Sequence, residues 1–449
     1  MSPVASSPRW ALAVVLCLAI ATACGRVEEE AGIKRVAVEA LPAGPVELVF
    51  PEQGAYTGAY VDFGEGEDDV TYDAIADFEQ MTGKHLALVA FGSFWGEQAF
   101  PDKQARIIAA YGAVPLIFWS PWDRPYMENR GPDRFNIPAI LAGTWDDYID
   151  RWADGAKAYG KPLLVTWGLE ANGSWFPWSG VFYGGGDIIG EEQGRTLYAG
   201  PELVKRANRY VIDRVRARGA DNILWGYHAN NASLPKDTDW NGIAAYYPGD
   251  AYVDWLGLSV YGKIQRFDGW PSFHDVMEDA YPALHRINPA KPMILAEWGV
   301  GEFPPGDKAD FIRTAFASLK ERYPLFRAAV FWHERWETEA GTFSNLRVNS
   351  SPESLAAYRE GVADPWWLDK PQFRPKVVAA ASHPASSPQG AVTPTDISPR
   401  AAAAPIGPSR RADSSPTATS QAAPAPGATS PSAATPPTSS PPASQPAGR

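Results

Sequence analysis

Eight short apolar runs without polar alternation recur through the middle of this 449-residue chain, at 59–63, 86–91, 115–119, 163–167, 223–228, 255–261, 293–297 and 328–332. A strand with one wet face alternates apolar and polar residues, whereas a strand covered on both faces need not. Longer amphipathic stretches separate the runs, at 71–81, 103–111, 145–159, 201–218, 272–287, 307–322 and 352–359. Doubly covered strands alternating with helices predict an α/β fold, and eight such units predict a (β/α)8 (TIM) barrel over residues 50–370. A doubly wound open sheet shares the pattern and competes with it. Ser272, three residues before Asp275, and Thr144, before 145–147, are expected helix caps. Gly160 and Gly219 are expected helix stops.

The two ends read differently. Trp10 to Ile20 is an apolar run behind Arg9, too short to cross a bilayer as a helix, and Ala21, Thr22, Ala23 and Cys24 follow. Small residues before a Cys resemble a bacterial lipoprotein signal over residues 1–23, with Cys24 as the lipidated residue. An ordinary secretory signal is the alternative. Residues 24–49 would be a tether. The only two cysteines, Cys17 and Cys24, both lie here, so the body has no thiolate for a disulfide or a metal. Residues 371–449 are dominated by Pro, Ala, Ser and Thr and are expected to be a disordered tail. An exported, surface- or periplasm-facing protein, attached to a membrane by its lipid, is expected.

Charge narrows the partners. Net charge is −12, and the tail carries more basic than acidic residues, so the acidity belongs to the body. Such a body lacks the basic footprint that nucleic acid requires. With 18 Trp, it suits flat neutral ligands such as sugars. In a barrel, reactive groups sit at the C-terminal strand ends. The run "KPLLVTWGLE" ends at Glu170 and "KPMILAEWG" carries Glu297. A carboxylate closing an apolar strand is costly unless it is partnered, solvated or used. Two of them on the fourth and seventh strands would face each other across the barrel mouth, as glycosidic cleavage requires. Trp119, Trp122, Trp175, Trp178, Tyr227, Tyr261, Trp298 and Trp332 cluster at the same ends as candidate sugar platforms. Asn172, Asn230, His228 and His333 are candidate hydroxyl partners. Trp145, Trp152 and Trp255 are expected to pack as core.

"GSFWGEQAFP", "GAVPLIFWSPW", "LEANGSWFPWSG", "YYPGDAYVDWLGLSVYG" and "KPMILAEWG" together resemble glycoside hydrolase family 26, whose best-known members are β-mannanases of the retaining-glycosidase clan. The resemblance spans about residues 55–365. It implies Glu170 as acid/base, Glu297 as nucleophile, Tyr261 as the ring hydrogen-bonded to the nucleophile, and Trp332 as the floor beneath the cleaved sugar. It departs from the family at Leu169, where His is usual, and at Thr166, where Arg is frequent. Tyr227 and His228 replace a Trp and a small residue, and Ser259 replaces an Asp. The expected function is retaining hydrolysis of a β-linked polysaccharide, by default β-1,4-mannan, by a monomer without metal or organic cofactor. Mixed-linkage β-glucan or β-xylan as substrate, and a non-hydrolytic glycan-binding lipoprotein, are the alternatives.

Overall fold

The computed structural model describes residues 45–64, 66–96, 99–122, 132–339 and 342–376. The expected signal, Cys24 and nearly all of the expected tail lie outside them. Eight parallel strands close into a barrel: β1 (Ala55–Val61), β2 (Leu88–Phe94), β3 (Val114–Ser120), β4 (Leu163–Trp167), β5 (Ile223–Asn230), β6 (Trp255–Tyr261), β7 (Met293–Gly299) and β8 (Phe326–His333). Closure comes from β8 pairing with β1, in register from Ala328 opposite Tyr56 to His333 opposite Val61. The open-sheet alternative is thereby excluded. Every residue of β1, β2, β3, β4 and β7 is buried, which is why these runs lack polar alternation.

Helices α1 (Tyr72–Thr82), α2 (Asp102–Tyr111), α3 (Asp146–Tyr159), α4 (Ala199–Ala217), α5 (Phe273–Met277), α6 (Ala280–Ile287), α7 (Lys308–Glu321) and α8 (Pro352–Ala363) flank the barrel. They match the seven amphipathic stretches, with 272–287 split between α5 and α6. Ser272 and Asp275 form the expected reciprocal cap of α5. Gly160 ends α3 at φ 70°, in the left-handed region that glycine enters without strain. Thr144 does not cap α3. The chain enters that helix through a turn in which Gly143 O accepts from Asp146 N (3.2 Å), and Asp146 and Asp147 place negative charge in its first turn.

Between β5 and β6, residues 231–254 contain no helix, in keeping with the missing amphipathic stretch. Polar bonds hold this crossover instead. Asn241 Nδ2 donates to Asn172 O (2.9 Å), and Tyr246 OH donates to Asn241 Oδ1 (2.6 Å). Strand Val46–Val49 pairs antiparallel with Gln372–Pro375. Ordered structure thus lies on both sides of the expected 50–370 span, within the stretches read as tether and tail. Among the described residues no helix is long and apolar enough to cross a membrane.

Candidate active site

Two local distortions aim the carboxylates. Past β4, Gly168 (φ 63°) and Glu170 (φ 52°) both take left-handed backbone conformations. For a non-glycine residue that conformation is costly, and it persists only where the surroundings enforce it. Here Glu170 N donates to His228 O on β5 (2.8 Å), which ties the strained residue to the next strand. On β7, the pairing with β6 shifts register between Leu295 and Glu297. Such irregularities re-aim side chains beside active sites.

The two side chains meet. A carboxylate oxygen of Glu170, one of Glu297 and a ring nitrogen of His228 all lie within 4.8 Å of one another. That approach matches the roughly 5–5.5 Å carboxyl spacing of retaining glycosidases and falls short of the roughly 6.5–9.5 Å of inverting ones. Glu170 accepts from Trp175 Nε1 (2.7 Å), from Asn230 Nδ2 (2.9 Å) and from the Ser259 hydroxyl. Glu297 accepts from Tyr261 OH (2.7 Å).

Burial raises the pKa of Glu170, against the pull of its Ser259, Asn230 and Trp175 donors. Burial raises Glu297 strongly, the Glu170 charge adds to it, and the Tyr261 hydrogen bond opposes both. Two carboxylates this close do not titrate independently, and their mutual repulsion favours keeping a proton on the pair. Burial also drives His228 down to about 3, so its imidazole is neutral.

The carboxylates open onto a cleft with about 850 Å³ of empty space. Of the expected residues, Glu170, Glu297, Trp175, Tyr261 and Trp332 line it, with Trp122 and Asn230. Trp332 stacks on Tyr60 at 4.0 Å between ring centres, which fixes its plane. Seven other candidates lie outside that lining. Trp119 points outward, stacked at 4.0 Å on Trp152 of α3, with its Nε1 donating to Tyr148. Trp298 points outward against Phe316 of α7 and Phe331. Asn172 ties the loop after β4 to the end of β5: its Nδ2 donates to Asn230 O (2.9 Å) and its Oδ1 accepts from Asn230 N (3.0 Å). Trp178 sits behind the β4 loop, with Nε1 donating to Leu169 O (2.6 Å). His228 lies one layer below the cleft, its Nε2 2.7 Å from Ser259 Oγ. His333 Nδ1 accepts from Val348 N (3.0 Å), a structural bond. Tyr227 OH donates to Ile243 O of the crossover loop.

Sequence reasoning missed Glu334, Trp336, Phe118, Ser120 and Glu67, all of which line the cleft. Strand parity was the available signal. Side chains two apart share a face, so Phe118, Ser120 and Trp122 line the cleft while Trp119 cannot. Trp332, Glu334 and Trp336 repeat the pattern from β8 into the hairpin Arg335–Glu339/Thr342–Asn345. Glu334 is 5% exposed and accepts from Trp332 Nε1 (2.6 Å). No Lys, Arg or His lines the cleft among the described residues.

Residues 141–340 match the family model "Glycosyl hydrolase family 26", a span that includes both carboxylates. The chain is 34% identical over 318 residues to "Endoglucanase H" of Acetivibrio thermocellus, covering 68% of this chain and 31% of that protein. It is 28% identical over 283 residues to a "Mannan endo-1,4-beta-mannosidase" of Bacillus subtilis, covering 62% of this chain and 64% of that protein. The chain thus spans less than two thirds of either relative. Among solved structures, the catalytic domain of a Bacillus sp. JAMB-750 GH26 endo-beta-1,4-mannanase superposes with a TM-score of 0.51 at 16% identity, covering 70% of this chain and 87% of that one, a likeness of fold. On the matched span and these likenesses, the barrel resembles glycosyl hydrolase family 26.

Proposed function

We propose that the chain is a retaining endo-β-glycanase. The observation that carries this reading is the convergence of Glu170 and Glu297 within 4.8 Å at the rim of β4 and β7, beside an aromatic-lined cleft. Glu170 gives its proton to the glycosidic oxygen as a Glu297 oxygen attacks the anomeric carbon. The carbon–oxygen bond to the leaving sugar breaks and a glycosyl ester forms on Glu297. Water then loses a proton to Glu170 and attacks the same carbon, freeing the Glu297 carboxylate. The step needs no metal or organic cofactor. Tyr261 holds Glu297 in line, and the Trp332 face carries the sugar ring.

Mannan is the default substrate. A β-glucan is the second reading, favoured by the higher identity to a protein named an endoglucanase and by Leu169 and Thr166 in place of the family's usual His and Arg. Incubation with mannan, mixed-linkage glucan and xylan, with NMR of the first-formed anomer, tests both. Retention by the wild type and loss in Glu170→Ala and Glu297→Ala is expected. No cleavage, or full activity in either variant, refutes the mechanism. Saturable binding without products would support a binding lipoprotein instead. For the ends of the chain we propose export as a monomer, with Cys24 lipidated. Metabolic labelling with a fatty acid should mark the wild type and not Cys24→Ser.

A further inference from the structure

Glu170 is met by more donors than its partner, and one of them leads to a second buried group. Ser259 on β6 is fully buried, and its hydroxyl both bonds Glu170 and lies 2.7 Å from His228 Nε2 on β5. His228 is 3% exposed, and its Nδ1 has no hydrogen-bond partner among the described residues. A neutral imidazole carries one N–H. Placed on Nδ1, that hydrogen would be a buried donor with no acceptor, a rare and costly state. Placed on Nε2, it donates to Ser259 Oγ and leaves only a lone pair unmet. The Ser259 hydrogen is then free to donate to Glu170. Hydrogen bonds so chained polarise one another. Both residues stand where this sequence departs from the family it resembles.

We propose that His228 and Ser259 form a neutral donor relay, His228 Nε2–H to Ser259 Oγ–H to Glu170, that positions the Glu170 carboxylate. The relay rests on Glu170 belonging to the reacting pair. It acts on the ionised form of Glu170, the state that exists after proton donation to the leaving sugar and before water is activated. Both are positioning residues, since neither lines the cleft. Other titratable groups face the pair: Tyr261 from β6, Glu297 from β7, Glu334 beyond β8 and Glu67 from the β1–α1 loop. All of these are acids, so His228 and Ser259 supply donors from the barrel interior without adding charge.

The test reads Glu170 directly, without substrate. Carboxyl-13C-glutamate labelling of the full chain, with the Glu170 signal assigned by its absence in Glu170→Gln, gives a titration midpoint by NMR. Ser259→Ala should raise that midpoint by about one pH unit, as expected for loss of one donor to a carboxylate. His228→Phe should raise it by less, and His228→Gln, whose amide can still donate to Ser259, should stay near the wild type. An unchanged midpoint in Ser259→Ala, or equal shifts in His228→Phe and His228→Gln, overturns the relay. This holds whether or not any glycan is cleaved, so failure of the proposed activity is distinguished from failure of the relay. Where cleavage is seen, Ser259→Ala should move the alkaline limb of kcat/KM upward. Movement of the acid limb alone would make Glu170 the nucleophile and refute the relay's stated role.

Discussion

Replacing Glu297 by Gln keeps the shape of the site and removes one of two charges that share it. With both carboxylates ionised and oxygens within 4.8 Å of each other, an effective dielectric of about 20 gives a repulsion of at least about 3.5 kcal/mol. The wild type relieves it by keeping a proton. Each group's folded pKa is raised above its unfolded value near 4.3, so the folded state binds more protons than the unfolded chain above that pH. Stability must therefore fall as pH rises from about 4 towards 8, because the slope follows protons bound in the unfolded minus the folded state. Glu297→Gln removes that loss. At pH 8 we expect it to melt about 6 °C above the wild type, taking about 3 kcal/mol and roughly 2 °C per kcal/mol for a domain of this size. Below pH 4 the two should melt together. Glu170→Gln should behave alike, and the double variant should gain less than the sum, since one substitution already abolishes the repulsion. Melting of all four proteins between pH 4 and 8 by scanning fluorimetry decides it. A gain that is constant with pH, or absent at pH 8, refutes the shared-proton account.

Three further outcomes follow from the same geometry. Tyr261→Phe removes the donor to Glu297 and should lower kcat about 10- to 100-fold with little change in KM, the range for a hydrogen bond to a charged group. Trp332→Ala removes the ring stacked on Tyr60 at the cleft floor and should raise KM, read in steady-state kinetics on the best polysaccharide. Trp119→Ala and Trp298→Ala should each cost about 3–5 kcal/mol of stability by denaturant unfolding, as for other buried Trp truncations, and leave the KM of the remaining folded enzyme unchanged. A raised KM without a stability loss would return either residue to the sugar site.

The doubly covered strands were legible because burial on both faces removes polar alternation, and the one unit without a helix, 231–254, also lacked an amphipathic stretch; closure of β8 on β1, which separates the barrel from an open sheet, has no such local pattern. The carboxylate pair was legible for the opposite reason: an ionisable group ending an apolar run has to be accounted for. What misled was counting aromatic rings near strand ends without asking which face each one takes. Trp119 and Trp298 flank inward-facing Phe118 and Glu297, and the two-residue period sends them to the helices. Glu334 and Trp336 could have been read from the same period, counted forward from Trp332. Glu67 could not. It reaches the cleft from the loop after β1, held by Gly92 N donating to its carbonyl (2.9 Å) from β2, a tertiary constraint with no local pattern. The left-handed turn at Glu170 is of the same kind, since its cost is met by a bond to His228 O on another strand. His228 therefore holds Glu170 twice over, through its carbonyl at the backbone and through Ser259 at the carboxylate. Of the positions that looked in the sequence like losses, Ser259 on the sixth strand is thus a support for Glu170, whereas Thr166 Oγ1 has no hydrogen-bond partner among the described residues and Leu169 meets Trp178 through its carbonyl.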